Sequence, residues 1–142
     1  MIKRIFSFLC LTFFLPYNSI IPKDIKVLFL VIASDNRPIF KELQKIWASY
    51  MHNDPQHIEV YFIKGNPKLS DEYQFQEDTL WTKTKEGYIP GVINKTIVAL
   101  ETVLPKLKDF DFIIRTNLST FFVFPRLLTF LEKCPSKNVY GG

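Results

Sequence analysis

An α/β fold with a mainly parallel sheet flanked by helices is predicted by three features of the sequence. The segment IKVLFLVIAS, Ile25 to Ser34, is a continuous apolar run rich in β-branched residues. Such a run suits a strand covered on both faces. A helical segment and a second strand follow at βαβ spacing, ending at Gly65. A third strand, FDFIIRTN, leads into a further helix, so strands and helices alternate.

The first strand ends in SDNRP, a turn with helix-start chemistry. Pro38 suits the first helical turn, and Asp35 or Asn36 can cap it. The helix IFKELQKIWASYM sets Phe40, Leu43, Trp47 and Tyr50 on one stripe, with Ile39 and Ile46 beside it. IEVYFIKG, Ile58 to Gly65, is the second strand. Lys68 to Gln74 reads as loop, FQEDTLW as one short strand, and TKTKEGYIPG as a loop with turn signals at Gly87, Pro90 and Gly91. In the helix VINKTIVALETVLPKL the apolar stripe is Ile93, Ile97, Leu100 and Leu104, with Asn94, Lys95, Thr102 and Lys106 off it. Pro105 ends or kinks this helix. After FDFIIRTN comes a polar cluster, then a Phe run expected to re-enter the core. Pro125 starts the helix RLLTFLEKC, and NVYGG opens another strand. That uncovered last strand suggests the opening part of a larger domain.

The 142 residues suit one domain, and a hydrophobic share of 47% with 14 Phe supplies a core. The net charge of +4 comes from scattered lysines, which argues against a nucleic-acid surface and is compatible with an anionic ligand. At the N-terminus, Lys3 and Arg4 precede the apolar run Ile5 to Leu15. Residues 1–22 therefore read as a signal peptide or signal-anchor, and residues 23–142 as the folded part. This implies the secretory lumen, with a membrane contact if the segment is kept, or secretion. Cys10 and Cys134 give no disulfide framework, and His52 and His57 read as surface residues outside any metal-type spacing.

Ligands collect beyond the C-terminal ends of parallel strands. Two polar clusters fall there, Ser34 to Arg37 and Thr116 to Thr120. Arg115 suits a bidentate phosphate contact. A structural alternative is that Asn117, Ser119 and Thr120 cap the strand and satisfy local backbone groups. NKT at Asn94 and NLS at Asn117 are also glycosylation sequons, one in a packed helix and one after a strand.

The order of these motifs resembles the nucleotide-sugar half of glycosyltransferases of the A-type fold, the β-1,3-galactosyltransferase and fringe-like group. Arg37 and Trp47 match an Arg-bearing turn and a helix with a late Trp. YFIKG matches a strand ending in Gly, and QEDTL an acidic strand region. EGYIPGVINKT keeps Tyr88, Lys95 and Thr96 of a D-S-Y…N-L-T-x-K-T segment. FIIRTNLSTFF stands where the group reads F-x-x-K-x-D-D-D-x-F. The chain is similar too to a set from large DNA viruses and some microbes whose strand ends in Arg-Thr-Asn-x-Ser.

The resemblance spans Lys26 to Gly142. It implies a Rossmann-like sheet, an incomplete domain, and transfer of a sugar from a nucleoside diphosphate to an acceptor hydroxyl on a glycan or protein. It implies Golgi or endoplasmic reticulum membranes as the location, with a single N-terminal anchor. Ser34 and Arg37 would contact the nucleotide, Lys95 and Arg115 the diphosphate, and Asn117 and Ser119 the ribose, the sugar or a metal. The group's acidic triplet holds Mn²⁺ or Mg²⁺, and hard cations want carboxylate oxygens. Here Asn117, Leu118 and Ser119 replace it. The expected routes are neutralisation by Arg115, Lys95 and Arg37, a metal held by Asp35, Asp78 or Glu86, or a module that binds without transfer. An unrelated exported α/β domain is the remaining reading.

Overall fold

A computed structural model describes residues 24–135. The N-terminal targeting segment and the strand expected at NVYGG lie outside the described residues. The chain forms β1 (Val27–Ile32), α1 (Pro38–Ala48), β2 (Ile58–Gly65), β3 (Tyr73–Gln76), β4 (Thr79–Thr82), α2 (Gly91–Val103), β5 (Phe112–Asn117) and α3 (Phe124–Leu131). It is a mixed α/β structure with one five-stranded sheet in the order β3-β4-β2-β1-β5. The pairs β1·β2, β1·β5 and β2·β4 are parallel, and β3·β4 is antiparallel. Among the described residues no helix is long and apolar enough to cross a membrane.

Alternation along β1 divides the core in two. Val27, Phe29 and Val31 face one side, with Trp47 of α1 and Phe124, Leu128 and Leu131 of α3. Leu28 and Leu30 face the other, with Ile63, Leu80 and Ala99 and Val103 of α2. Helices thus cover both faces, which is why β1 reads as an unbroken apolar run. Phe29 meets Phe122 with ring centroids 5.0 Å apart and Trp47 at 6.0 Å, both edge-on. The expected stripe of α1 is the one used: Trp47 is buried, and Phe40, Leu43 and Tyr50 pack beside it.

The expected stripe of α2 is not the one used. Ile93, Ile97, Leu100 and Leu104 are 37% to 63% exposed, and the face on the sheet is Gly91, Lys95, Ala99 and Val103. Both faces have helical spacing. The small side chains Gly91 and Ala99 let the helix axis approach a sheet already filled by Leu28, Leu30, Ile63 and Leu80. Lys95 contributes an apolar stem, and its ammonium finds partners at the sheet edge. Pro105 ends α2 as expected, and a 3₁₀ turn follows over Leu104–Asp109.

Other expectations need correction. Residues 73–82 form a hairpin rather than a loop and one strand, with Glu77 at φ 52° in its two-residue turn. The N-cap of α1 is Arg37, without a side-chain cap; the Asp35 carboxylate instead takes hydrogen bonds from Lys64 and Gln44. Among the described residues β5 lies at the edge of the sheet, and Ile113, Arg115 and Asn117 alternate outward instead of being buried. In the following run Phe121 and Val123 are exposed and Phe124 returns to the core. His57 is mostly buried and paired with Asp54 at 2.7 Å, while His52 is exposed and paired with Asp78.

Candidate functional site

β1 continues through α1 to β2 on one side and pairs with β5 on the other, with α1 and α2 on opposite faces. The strand order reverses here, and a crevice opens outside the carboxyl ends of β1 and β5. The crevice has a volume of about 500 Å³, within the range of small-molecule sites. Ile32 to Ser34 and Asn117 to Ser119 form its floor, the first turns of α1 one wall, and Glu86 to Ile93 the other.

Of the six residues with expected donor contacts, Ser34, Lys95, Arg115, Asn117 and Ser119 line this crevice, and Arg37 does not. Arg37 is exposed at the start of α1. Arg115 projects from β5 at the register of Leu30 and makes no side-chain hydrogen bond or ion pair among the described residues. Ser34 Oγ accepts from Asn36 N at 3.3 Å.

Lys95 is committed. Its side chain is only 2% exposed, and Nζ donates to Ala33 O at 2.7 Å and to Glu86 Oε2 at 2.9 Å. Glu86 Oε1 accepts from Gly65 N at 2.5 Å. One ion pair thus ties the ends of β1 and β2 to the loop before α2. The glycines beside it permit the close approach. A Cβ on Gly65 would lie 2.7 Å from Thr84 O, and one on Gly91 2.7 Å from Lys85 O.

Asn117 is committed as well. Its Oδ1 accepts from Ser119 N at 3.1 Å, Ser119 Oγ at 2.7 Å and Thr120 Oγ1 at 3.2 Å. The polar cluster after β5 is therefore a self-bonded Asx turn. Trp47 Nε1 donates to Leu118 O at 3.2 Å and holds the turn from the α1 side.

The metal candidates do not converge. Asp35 lies beside Lys64, at 2.9 Å and 3.1 Å from its two carboxylate oxygens. Partial burial pushes the Asp35 carboxyl up, but the hydrogen bonds from Lys64 and Gln44 and the positive charges of Lys64 and Lys41 outweigh it, leaving it below the usual value. Asp78 stands at the start of β4 against His52. Glu86 has both oxygens engaged, and Asn117 Oδ1 already receives three donors. No group of three His, Cys, Asp or Glu converges among the described residues. The donor set does not fit a divalent cation.

Sequence reasoning missed the apolar walls, Phe40 and Leu43 on α1 and Tyr88, Ile89 and Val92 at the start of α2. Tyr88 and Ile89 stand out of the surface; Tyr88 was marked only as a match to the resembled segment, without a place in the site, and Ile89 only as an aliphatic residue among turn formers. The Glu86–Lys95 pair was also missed as a pair, because the two residues come from a loop and a helix. Comparison with family models, with curated proteins and with solved structures finds no match for this chain.

Proposed function

We propose that the crevice takes the nucleoside diphosphate of a sugar nucleotide, and that the chain is the donor-binding part of a glycosyltransferase-like protein with a Rossmann-like, A-type fold. The observation that carries this reading is the meeting of Ser34, Arg115, Asn117 and Ser119 with apolar walls at one strand-order reversal. The walls offer Phe40, Leu43 and Tyr88 to a nucleobase. Arg115 faces the diphosphate with its fork of donors. Ser119 Oγ and the amide nitrogen of Asn117, which has no partner among the described residues, bond ribose or sugar oxygens. Lys95 acts as a positioning residue: it holds Ala33 and Glu86, and so the crevice floor and wall, in register. Of the expected cations, Arg115 alone lines the crevice without a partner among the described residues, so charge neutralisation of the diphosphate rests on it. The acceptor in this reading is a hydroxyl of a glycan or protein, and the basic and apolar N-terminal sequence supports a location at a secretory membrane or in the lumen.

A second reading, binding without transfer, is favoured by one observation. The carboxylate and amide oxygens at the crevice are spent on the protein's own groups. Sugar release from a panel of nucleotide donors separates the two readings.

The test of binding is thermal stabilisation of the full chain by UDP or GDP, with and without Mn²⁺, since a ligand selective for the native state raises stability. Stabilisation is expected without metal. Arg115→Ala should weaken nucleotide binding about tenfold or more, the loss expected for a charge-assisted contact, while the unliganded protein melts as before. Equal binding by wild type and variant would remove Arg115 from the site.

A further inference from the structure

The two sequons of the chain stand in unlike settings. Asn94, in the triplet Asn94-Lys95-Thr96, lies on α2 away from the sheet-facing Gly91, Lys95, Ala99 and Val103. The helix is packed on the sheet, but Asn94 takes no part in the packing. Its side chain is exposed and makes no hydrogen bond among the described residues. It is also not among the residues that line the crevice. Asn117, in the triplet Asn117-Leu118-Ser119, sits on the crevice floor. Its Oδ1 takes three hydrogen bonds, and Leu118 beside it is buried and held by Trp47. A sugar on Asn117 would occupy the space the proposed ligand needs.

We propose that Asn94 is an N-glycosylation site. The triplet requires a residue other than proline between the asparagine and the hydroxyl residue, and Lys95 meets that requirement. The co-reactant is an oligosaccharide carried on a polyprenyl pyrophosphate, and the catalyst is a membrane-bound oligosaccharyltransferase. The Asn94 amide nitrogen bonds to C1 of the first sugar, and the C1–O bond to the pyrophosphate breaks. The lipid pyrophosphate leaves with the electron pair, and one amide proton passes to a base. In the folded chain Thr96 Oγ1 donates to Val92 O at 2.7 Å and Asn94 N donates to Pro90 O at 2.9 Å. Transfer to the nascent chain precedes these bonds, and the sugar costs no buried contact when they close. The first sugar then stands beside Ile93 and Ile97, half-exposed members of the outward seam of α2, and brings a bulky hydrated group to that apolar face. The proposal rests on the lumenal location read from the N-terminal sequence.

Translation of the full-length chain into sealed rough microsomes tests the site and the location separately. Protection from added protease reports entry into the lumen, and a glycosidase-sensitive step in mass reports the sugar. The wild type is expected to be protected and to show the step. Asn94→Gln and Thr96→Ala should each remove it, and Thr96→Ser, which still completes the triplet, should keep it. Gln is a better helix former than Asn at this exposed position, so loss of the step in Asn94→Gln is not a folding failure. A protected wild-type chain without the step overturns the site and leaves the location standing. An unprotected chain overturns both. A step that Asn94→Gln leaves unchanged and Asn117→Gln removes puts the sugar on the crevice floor and overturns the proposal.

Discussion

The two faces of the sheet are built on different physics. The face under α1 and α3 is an aromatic interlock, in which Phe29 touches Trp47, Phe122 and Phe124. Trp47 also stacks on Tyr50, with centroids 5.4 Å apart. The face under α2 is thinner. Small residues and Val103 lie on Leu28, Leu30, Ile63 and Leu80, and the end nearest the crevice is closed by an ion pair rather than by rings. The first face derives its strength from apolar area and contact; the second needs a charge to be matched. The crevice is thus held from two sides by unlike means. Trp47 grips Leu118 on one side, and Lys95 grips Ala33 and Glu86 on the other.

The largest expected effect is on the aromatic face. Trp47→Ala removes a fully buried ring and the donor to Leu118 O, and should cost about 3–5 kcal/mol in denaturant unfolding. A cost below about 1 kcal/mol would mean that the rings repack without Trp47 and the interlock is not what holds this side. Next is the ionic face. Lys95→Met keeps the stem but leaves the Glu86 carboxylate without its cation, at a cost of about 3 kcal/mol. Adding Glu86→Gln should recover part of that loss, because an uncompensated charge is then removed; nothing comparable rescues Trp47→Ala. Equal stability of the single and double variants would show that the ion pair is not the fastening.

The smallest effect concerns Asp35, at the rim between the two faces. Its carboxyl lies below its unfolded value, so the stability it contributes is present above the unfolded pKa, near 3.9. That contribution is lost as pH falls through the lower folded value. Asp35→Asn should therefore lower stability near neutral pH slightly and flatten its decline in acid. Parallel acid titrations of variant and wild type would show that the Lys64 contact adds nothing.

Much of the fold was legible because it rests on local pattern. The apolar run of β1 announced a strand covered on both faces, and the Phe40–Leu43–Trp47–Tyr50 stripe announced the buried face of α1. The position of the crevice was legible for a related reason: polar residues after Ile32 and Arg115 interrupt strands that end at the same edge. The hairpin at residues 73–82 was missed because its turn, Glu77–Asp78, lacks the glycine or asparagine that marks such turns. The commitments of Lys95, Glu86 and Asn117 were not legible. Each depends on which group stands opposite, and sequence spacing does not encode that.

The sequence by itself determined most of the strands and helices, though not the hairpin at residues 73–82, and that α2 carries an apolar stripe at helical spacing. Only the tertiary structure decided which side of α2 meets the sheet. Periodicity reports that apolar residues share a face, whereas the packed face is chosen by how closely two surfaces approach and whether every buried charge finds a partner. Gly91, Ala99 and the Lys95–Glu86 pair satisfy both conditions, and so the isoleucine and leucine seam is left facing outward.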